Sequence, residues 1–443
     1  MTKSTQTIPA SDEEPEALII PRSAHSLSSK EIDRDALKVL SLLHKDGHTA
    51  YLVGGGVRDL YLGKTPKDFD ISTDAKPGQI RKLFRNSRTI GRRFRLVQVF
   101  FSDNKIIEVS TFRCRSEFDI EGEINMLPAN NTFGTEADDA FRRDLTINSL
   151  FYDIENETII DYTGGVADLN SRIIRMVGDP DKRITRDPVR ILRAIRHASR
   201  IGFSIEDNTW QAIIRHRDKL RLCPVSRIRD ELLKDLRGGA NRQWLQLLLE
   251  SGVFYVLFPF YQPVLADNGE ERQELLAKIF AVIDRIHRNK LQLSEAFLLG
   301  LFLIPWAQQT FPEMQEQLKN GQLFSLSRRI KSALDSSLHH LNIKKATIEY
   351  IASLLGRLNL FAAHDTDGNW PGWLKKKSYF RENSQFYMIY REAVGGEAAG
   401  EIEMPAPEKK FRPQRQAPRR SGRTPAYTTK NSKGGIFGLR KRK

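Results

Sequence analysis

The spacing of apolar residues changes along the chain at about residue 180. Between about 50 and 165, apolar residues come in short runs broken by turn formers. This predicts strands at Ala50–Val53, Phe69–Ser72, Leu96–Phe101, Lys105–Ser110 and Thr158–Asp161. Helices are predicted between them at Val57–Leu62, Pro77–Phe84 and Ala140–Tyr152. An amphipathic helix over residues 31–47 precedes the first strand, with Ile32, Ala36, Val39, Leu40 and Leu43 on its apolar side. From about 180 to 395 the period is helical, with segments at 185–200, 226–236, 241–250, 271–288, 294–304 and 346–358 and no fixed repeat. Residues 1–30 read as a flexible leader. The stretch Cys114–Asp139 has no periodicity and reads as a mobile loop. The chain is therefore expected to be α+β, a mixed head followed by an all-helical remainder.

Charge modifies this picture at one end. The formal net charge is +15, yet residues 405–443 alone hold thirteen Lys or Arg against one acid, Glu408. That tail, with few large apolar residues and many Pro, Gly, Ser and Thr, is expected to be disordered on its own. A cationic arm of this composition binds polyanions through counterion release, and Phe411, Tyr427 and Phe437 favour a nucleic acid as the partner. Cys114 and Cys223 make neither a zinc spacing nor a disulfide framework, which points to a reducing compartment. The first 25 residues carry no apolar signal segment. The apolar run 296–307 is too short for a bilayer and contains Pro305, so a cytoplasmic protein without membrane contact is expected.

The candidate chemistry begins at Leu52-Val-Gly-Gly-Gly-Val-Arg58, followed by Lys67-Asp-Phe-Asp-Ile71. In a strand, residues two apart share a face, so Asp68 and Asp70 are expected side by side. Two carboxylates so placed repel each other unless a cation lies between them, and hard oxygen donors suit Mg²⁺ held jointly with phosphates. Glycines 54 and 55 allow backbone N–H groups close to a phosphate, and Arg58 adds charged donors. Either motif alone is commonly a plain turn or a solvated strand edge; together they describe a triphosphate and metal site. Gly63-Lys64-Thr65 imitates the end of a P-loop, but Arg58 stands where that loop needs glycine.

A second layer follows. Glu108 interrupts an apolar strand that ends near Arg113; it is either a third carboxylate beside the pair or a charge on an open sheet face. On a helix, Asp144 and Asn148 share a face, as do Arg143 and Ile147, suggesting hydrogen bonds to a sugar or triphosphate. Asp187 and Pro188 suit the cap and first turn of a helix on which Arg190, Arg193, Arg196 and Arg200 form one stripe. Such a stripe, with few acids between, suits an anion groove or a base-stacking surface. The histidines, His197 among them, read as ordinary core or surface residues, and no serine sits in a nucleophile elbow.

These segments, with Asp161-Tyr-Thr-Gly-Gly165, occur in the order found in class II nucleotidyltransferases, the bacterial poly(A) polymerases and CCA-adding enzymes, which the chain resembles over roughly 18–395. The resemblance implies a DNA polymerase β-like head at 31–170, a helical neck at 171–237 and a helical body at 238–395, before the tail at 396–443. It implies Asp68, Asp70 and Asp144 as catalytic residues, with two Mg²⁺ on Asp68 and Asp70 and Glu108 a third candidate ligand. Gly54, Gly55, Arg58, Arg113, Arg143, Asn148, Arg193 and Arg196 would serve ATP, and Asp187 and Arg190 would read the base edge. Arg186 stands where the family has glutamate. Thr89-Ile-Gly-Arg-Arg-Phe-Arg-Leu96 and the basic tail resemble the poly(A) polymerase branch, implying AMP addition to RNA 3′ ends. CCA addition to tRNA is the alternative, and a catalytically retired RNA-binding adaptor a third reading.

Overall fold

The computed structural model describes residues 16–91, 95–114, 133–266, 269–366 and 368–395. The basic tail, most of the hydrophilic stretch before Phe133, and Arg92–Phe94 of the segment that marks the poly(A) polymerase branch lie outside them. The head is built on an eight-stranded sheet. Its strands are β1 (Leu18–Ile20), β2 (Ala50–Val53), β3 (Asp70–Thr73), β4 (Ser87–Ile90), β5 (Leu96–Phe100), β6 (Ile106–Thr111), β7 (Phe151–Asp153) and β8 (Thr158–Asp161). They lie in the order β1-β8-β7-β2-β3-β6-β5-β4, and only the β3–β6 pair is parallel.

The first helix, α1 (Arg34–Lys45), forms as its spacing predicts. Ala36, Val39, Leu40 and Leu43 are buried, and the Asp33 carboxylate caps it by accepting from the N–H groups of Asp35 and Ala36. Helix α2 (Gly55–Tyr61) follows β2 directly, and α3 (Pro77–Leu83) packs with α1 against the sheet. Helix α4 (Glu136–Arg142) brings Ala140 to a core of Val53, Phe112, Phe151 and Ile160.

Three expectations need correction here. Part of the expected leader is structured: β1 pairs antiparallel with β8, Leu18 opposite Asp161. Strand β4 was not predicted, because its residues are polar or half-buried and show no alternation. Ala140–Tyr152 is not one helix. Helix α4 starts at Glu136, inside the expected loop, under a Thr135 cap, and ends at Arg142. Arg143 is extended (φ −65°, ψ 166°), Thr146–Asn148 make a single 3₁₀ turn, and β7 begins at Phe151. The chain leaves the helix because Leu145 pairs with Met176, the Thr146 N–H donates to the Arg175 carbonyl, and that of Val177 donates to Asp144. Tertiary pairing outweighs a helical period here.

Beyond the head come α5 (Gly165–Ser171), β9 (Ile173–Ile174), α6 (Pro180–Arg186), α7 (Arg190–Ile201), β10 (Ser204–Ile205), α8 (Asp207–His216) and α9 (Val225–Leu236). The remaining described elements are helices, including segments at Asn241–Ser251, Gly269–Arg288, Glu295–Phe302 and Lys345–Gly356 close to those predicted, and unpredicted ones at Asn320–Ser337 and Phe380–Ala393. An aromatic core of Phe254, Phe258, Tyr261, Phe280 and Phe302 joins them, with Phe258 and Phe302 ring centroids 4.6 Å apart. The apolar run at 296–307 is buried against this core. Among the described residues, no helix is long and apolar enough to cross a membrane.

Candidate active site

The site begins where β2 gives way to α2. Gly54 has φ 73° and ψ −134°, a conformation that a side chain strongly disfavours. A Cβ there would also meet Arg143 Nη1 at 3.2 Å, so the glycine both makes the turn and leaves room for an arginine. At Gly56 a Cβ would stand 3.4 Å from the Asp68 carbonyl, which places the acidic segment against the first turn of α2.

Asp70 is the first residue of β3, and its register partner on parallel β6 is Glu108. Of the two readings of Glu108, the structure selects the one beside the acid pair. Its carboxylate accepts from Gln98 Nε2 at 2.9 Å. Asp68 precedes the strand, so the two-residue strand spacing does not govern it; its charge is nevertheless felt at Asp70. Asp70 reaches solvent at the start of β3, although protein surrounds much of its carboxyl. Burial pushes its carboxyl up to about 6, with Glu108 and Asp68 adding to the rise and Arg143 opposing it. Among the described residues no three acids converge tightly enough to hold an ion alone. A pair of carboxylates completed by phosphate oxygens is how Mg²⁺ is commonly held, and the strained charge at Asp70 fits that donor set.

Arg143 stands behind the acids. Its guanidinium donates to Asp139 (Nη2 2.8 Å, Nε 3.2 Å), to Ser72 Oγ at 3.2 Å and to the Asn148 carbonyl at 3.4 Å, with its carbon 5.4 Å from the Phe151 ring centroid. Asp139 is fully buried. Burial raises its pKa, but Arg143 and Arg142 outweigh that and hold it below the usual carboxylate range. Arg113 lies close to this group: burial, with Arg142 beside it, lowers its guanidinium to about 10. Its backbone N–H donates to Asp139 at 3.4 Å.

Arg58 is buried, and four of its five N–H groups are already engaged. Nε and Nη2 donate to Asp59 at 2.9 and 2.7 Å, while Nη1 donates to Asn148 Oδ1 at 2.6 Å and approaches His197 Nδ1 at 3.2 Å. The remaining hydrogen is on Nη2, which lies 3.6 Å from where a Gly55 Cβ would be. Asn148 thus reaches the site from a 3₁₀ turn, not from a helix face shared with Asp144. The turn is braced from below. Asp161 accepts from the N–H groups of Thr163, Gly165 and Val166 at 2.9–3.0 Å, and a Cβ at Gly165 would strike the Thr146 carbonyl at 2.3 Å.

Asp144 faces α7. Burial raises its pKa, but Arg190 at 2.6 Å and a closer contact from Arg193 outweigh burial and hold it at about 2. The arginine stripe on α7 is accordingly not an open anion surface. Arg196 is buried between Glu231 and Asp235 of α9, and Arg200 donates to the Lys234 carbonyl. The expectation that Arg196 serves the nucleotide is corrected: its charge is spent on structural pairs with acids from another helix, which local sequence does not reveal. Asp187 does not cap α7, whose first residue is Arg190. It ends α6, and its carboxylate pairs with Arg227 at 3.0 Å.

The structure therefore gathers Gly54, Gly55, Arg58, Asp68, Asp70, Glu108, Arg143 and Asn148 close to one another. Asp144, Arg190 and Arg193 form an adjoining cluster, and Asp187 stands with Arg227. Sequence reasoning missed Ser72, Asp139 and His197. Only Asp139 left a signal, four residues before Arg143 on a helix.

A family model described as the poly A polymerase head domain matches residues 50–175, and one described as a probable RNA and SrmB-binding site of polymerase A matches 202–265. Over 341 residues the chain is 42% identical to poly(A) polymerase I of Salmonella typhi, covering 75% of this chain and 73% of that protein. The chain belongs to the family of poly(A) polymerases and CCA-adding enzymes. The CCA-adding enzyme of Bacillus velezensis is 30% identical over 357 residues, covering 76% of this chain and 87% of that protein. A solved CCA-adding enzyme, apo form II, shares the fold with a TM-score of 0.54 and 21% identity, over 86% of this chain and 97% of that one. Nucleotidyltransferases of this kind work on a nucleoside triphosphate with divalent metal.

Proposed function

We propose that this enzyme adds AMP units from ATP to RNA 3′ ends and releases pyrophosphate. The observation that carries the reading is the acid pair Asp68/Asp70 set against the glycine turn of α2, in a chain 42% identical to a poly(A) polymerase I. The terminal hydroxyl oxygen of the RNA gives up its proton to solvent and attacks the α-phosphorus of ATP, and the bond to the bridging oxygen of pyrophosphate breaks. Asp68 and Asp70, with Glu108 alongside, would hold two Mg²⁺, which when bound supply activation of the hydroxyl and neutralisation of the leaving group. The free Nη2 hydrogen of Arg58 and the backbone N–H of Gly55 bind the triphosphate, the Gly54 N–H being held by the Leu150 carbonyl, and Arg143 counters the negative charge gathered beside Asp70. Asp187 and Arg190 are assigned to reading the base edge, while Arg193 and Asp144 fix the head against α7. The basic tail holds the RNA body through salt-sensitive contacts. The enzyme works in the cytoplasm.

CCA addition is the second reading, favoured by the 30% identity to such an enzyme. Greater identity to poly(A) polymerase I supports the first. Asp70→Ala tests the site: incorporation of AMP into a labelled RNA is expected to vanish while RNA affinity stays within twofold. Retained polymerisation would remove the assignment of Asp70.

A further inference from the structure

His197 lies on α7, beyond the head, yet its ring meets the arginine assigned to the triphosphate. Its Nδ1 is 3.2 Å from Arg58 Nη1, and its Nε2 is 3.4 Å from Asn148 Nδ2. Arginine can only donate, so the shorter and charged contact favours the tautomer whose lone pair is on Nδ1 and whose proton is on Nε2. The Asn148 orientation follows independently. Its Oδ1 accepts from the same Nη1 at 2.6 Å, which turns its amide nitrogen toward the ring, a donor facing a donor. An imidazolium would set a second N–H against the guanidinium, so the site requires the neutral ring. Burial, followed by Arg58, Arg196 and Arg200, holds the His197 pKa well below its ordinary range, in agreement with the geometry.

Asp59 fixes one edge of the Arg58 guanidinium, and Asn148 and His197 take both hydrogens of Nη1. The orientation of Nη2, the nitrogen with a hydrogen to spare above Gly55, depends on those anchors.

We propose that His197 is a positioning residue that, as a neutral hydrogen-bond acceptor, aims Arg58 at the triphosphate of the incoming nucleotide. The proposal rests on Arg58 holding the triphosphate. It ties α7, beyond the head, to the triphosphate end of the nucleotide site.

A double-mutant cycle on the full-length enzyme tests it, with KM for ATP and kcat measured on an RNA primer. His197→Phe keeps the ring volume and removes the acceptor; KM is expected to rise about tenfold with kcat within about twofold, the loss of one hydrogen bond to a charged group. His197→Gln, whose side-chain oxygen can accept the same hydrogen, is expected to stay within about twofold of wild type. Arg58→Lys should raise KM by itself, and adding His197→Phe to it should change nothing further. Additive effects in the double variant, or an unchanged KM in His197→Phe, would overturn the proposal. An unchanged KM in Arg58→Lys would instead overturn the triphosphate assignment, and the proposal with it. Should His197→Phe not fold, the Gln variant still decides, since a large rise in its KM contradicts an acceptor role.

Discussion

Replacing Asp70 with asparagine removes the charge and keeps the shape, and the fold should gain from it. The Asp70 carboxyl rises from 3.8 to about 6 because burial, Glu108 and Asp68 disfavour its ionised form more than Arg143 favours it. Fully expressed, that rise corresponds to about 3 kcal/mol of destabilisation at neutral pH. The side chain reaches solvent, so screening reduces the expected figure to roughly 1 kcal/mol. The sign follows from proton linkage. A raised carboxylate pKa means that the folded protein binds the proton more tightly than the unfolded chain. The penalty is therefore absent below about pH 4, grows between about 4 and 6, and is complete above about 6. Thermal unfolding in a chelator at about pH 7.5 should place Asp70→Asn about 1–2 °C above wild type, with the gap narrowing toward about pH 4. Added Mg²⁺ should raise the wild-type transition more than that of the variant, because the cation relieves a repulsion the variant lacks. An asparagine variant that melts at or below wild type at neutral pH, or a gap that ignores pH, would refute this reasoning.

A further substitution and a truncation probe other parts of the account. Gly54→Ala forces a side chain into φ 73°, ψ −134° and against Arg143, so it should cost about 1–3 kcal/mol in stability by chemical denaturation and lower kcat/KM for ATP at least about tenfold. Truncation after Met404 removes thirteen basic residues and should lower RNA affinity and flatten its dependence on salt; an unchanged slope of log affinity against log salt would rule out tail contacts.

What the sequence revealed depended on whether the partners of a residue were local. Helix α1 and the strands β2, β5, β6 and β8 follow from spacing, since each buries a face whose period is written in consecutive residues. The acids at 68 and 70 were recognisable from their spacing beside a glycine turn, and Glu108 because it interrupts an apolar strand. The polar segment from Arg143 to Asn148 was misread, because what breaks its helix is pairing with residues 175–177, some thirty positions away. The four-arginine stripe was misread for the same reason. Asp144, Glu231 and Asp235 neutralise much of it, and none lies within its own helix. His197 gave no signal, because a lone histidine acquires meaning only from Arg58, 139 positions earlier.

The central claim is that this site transfers AMP, repeatedly, to RNA. A tRNA lacking its 3′ end, incubated with the enzyme and one nucleoside triphosphate at a time, tests it most directly by the length of the products on a denaturing gel. The account predicts long heterogeneous extension with ATP alone. Incorporation of CTP followed by a single terminal addition and arrest would contradict it.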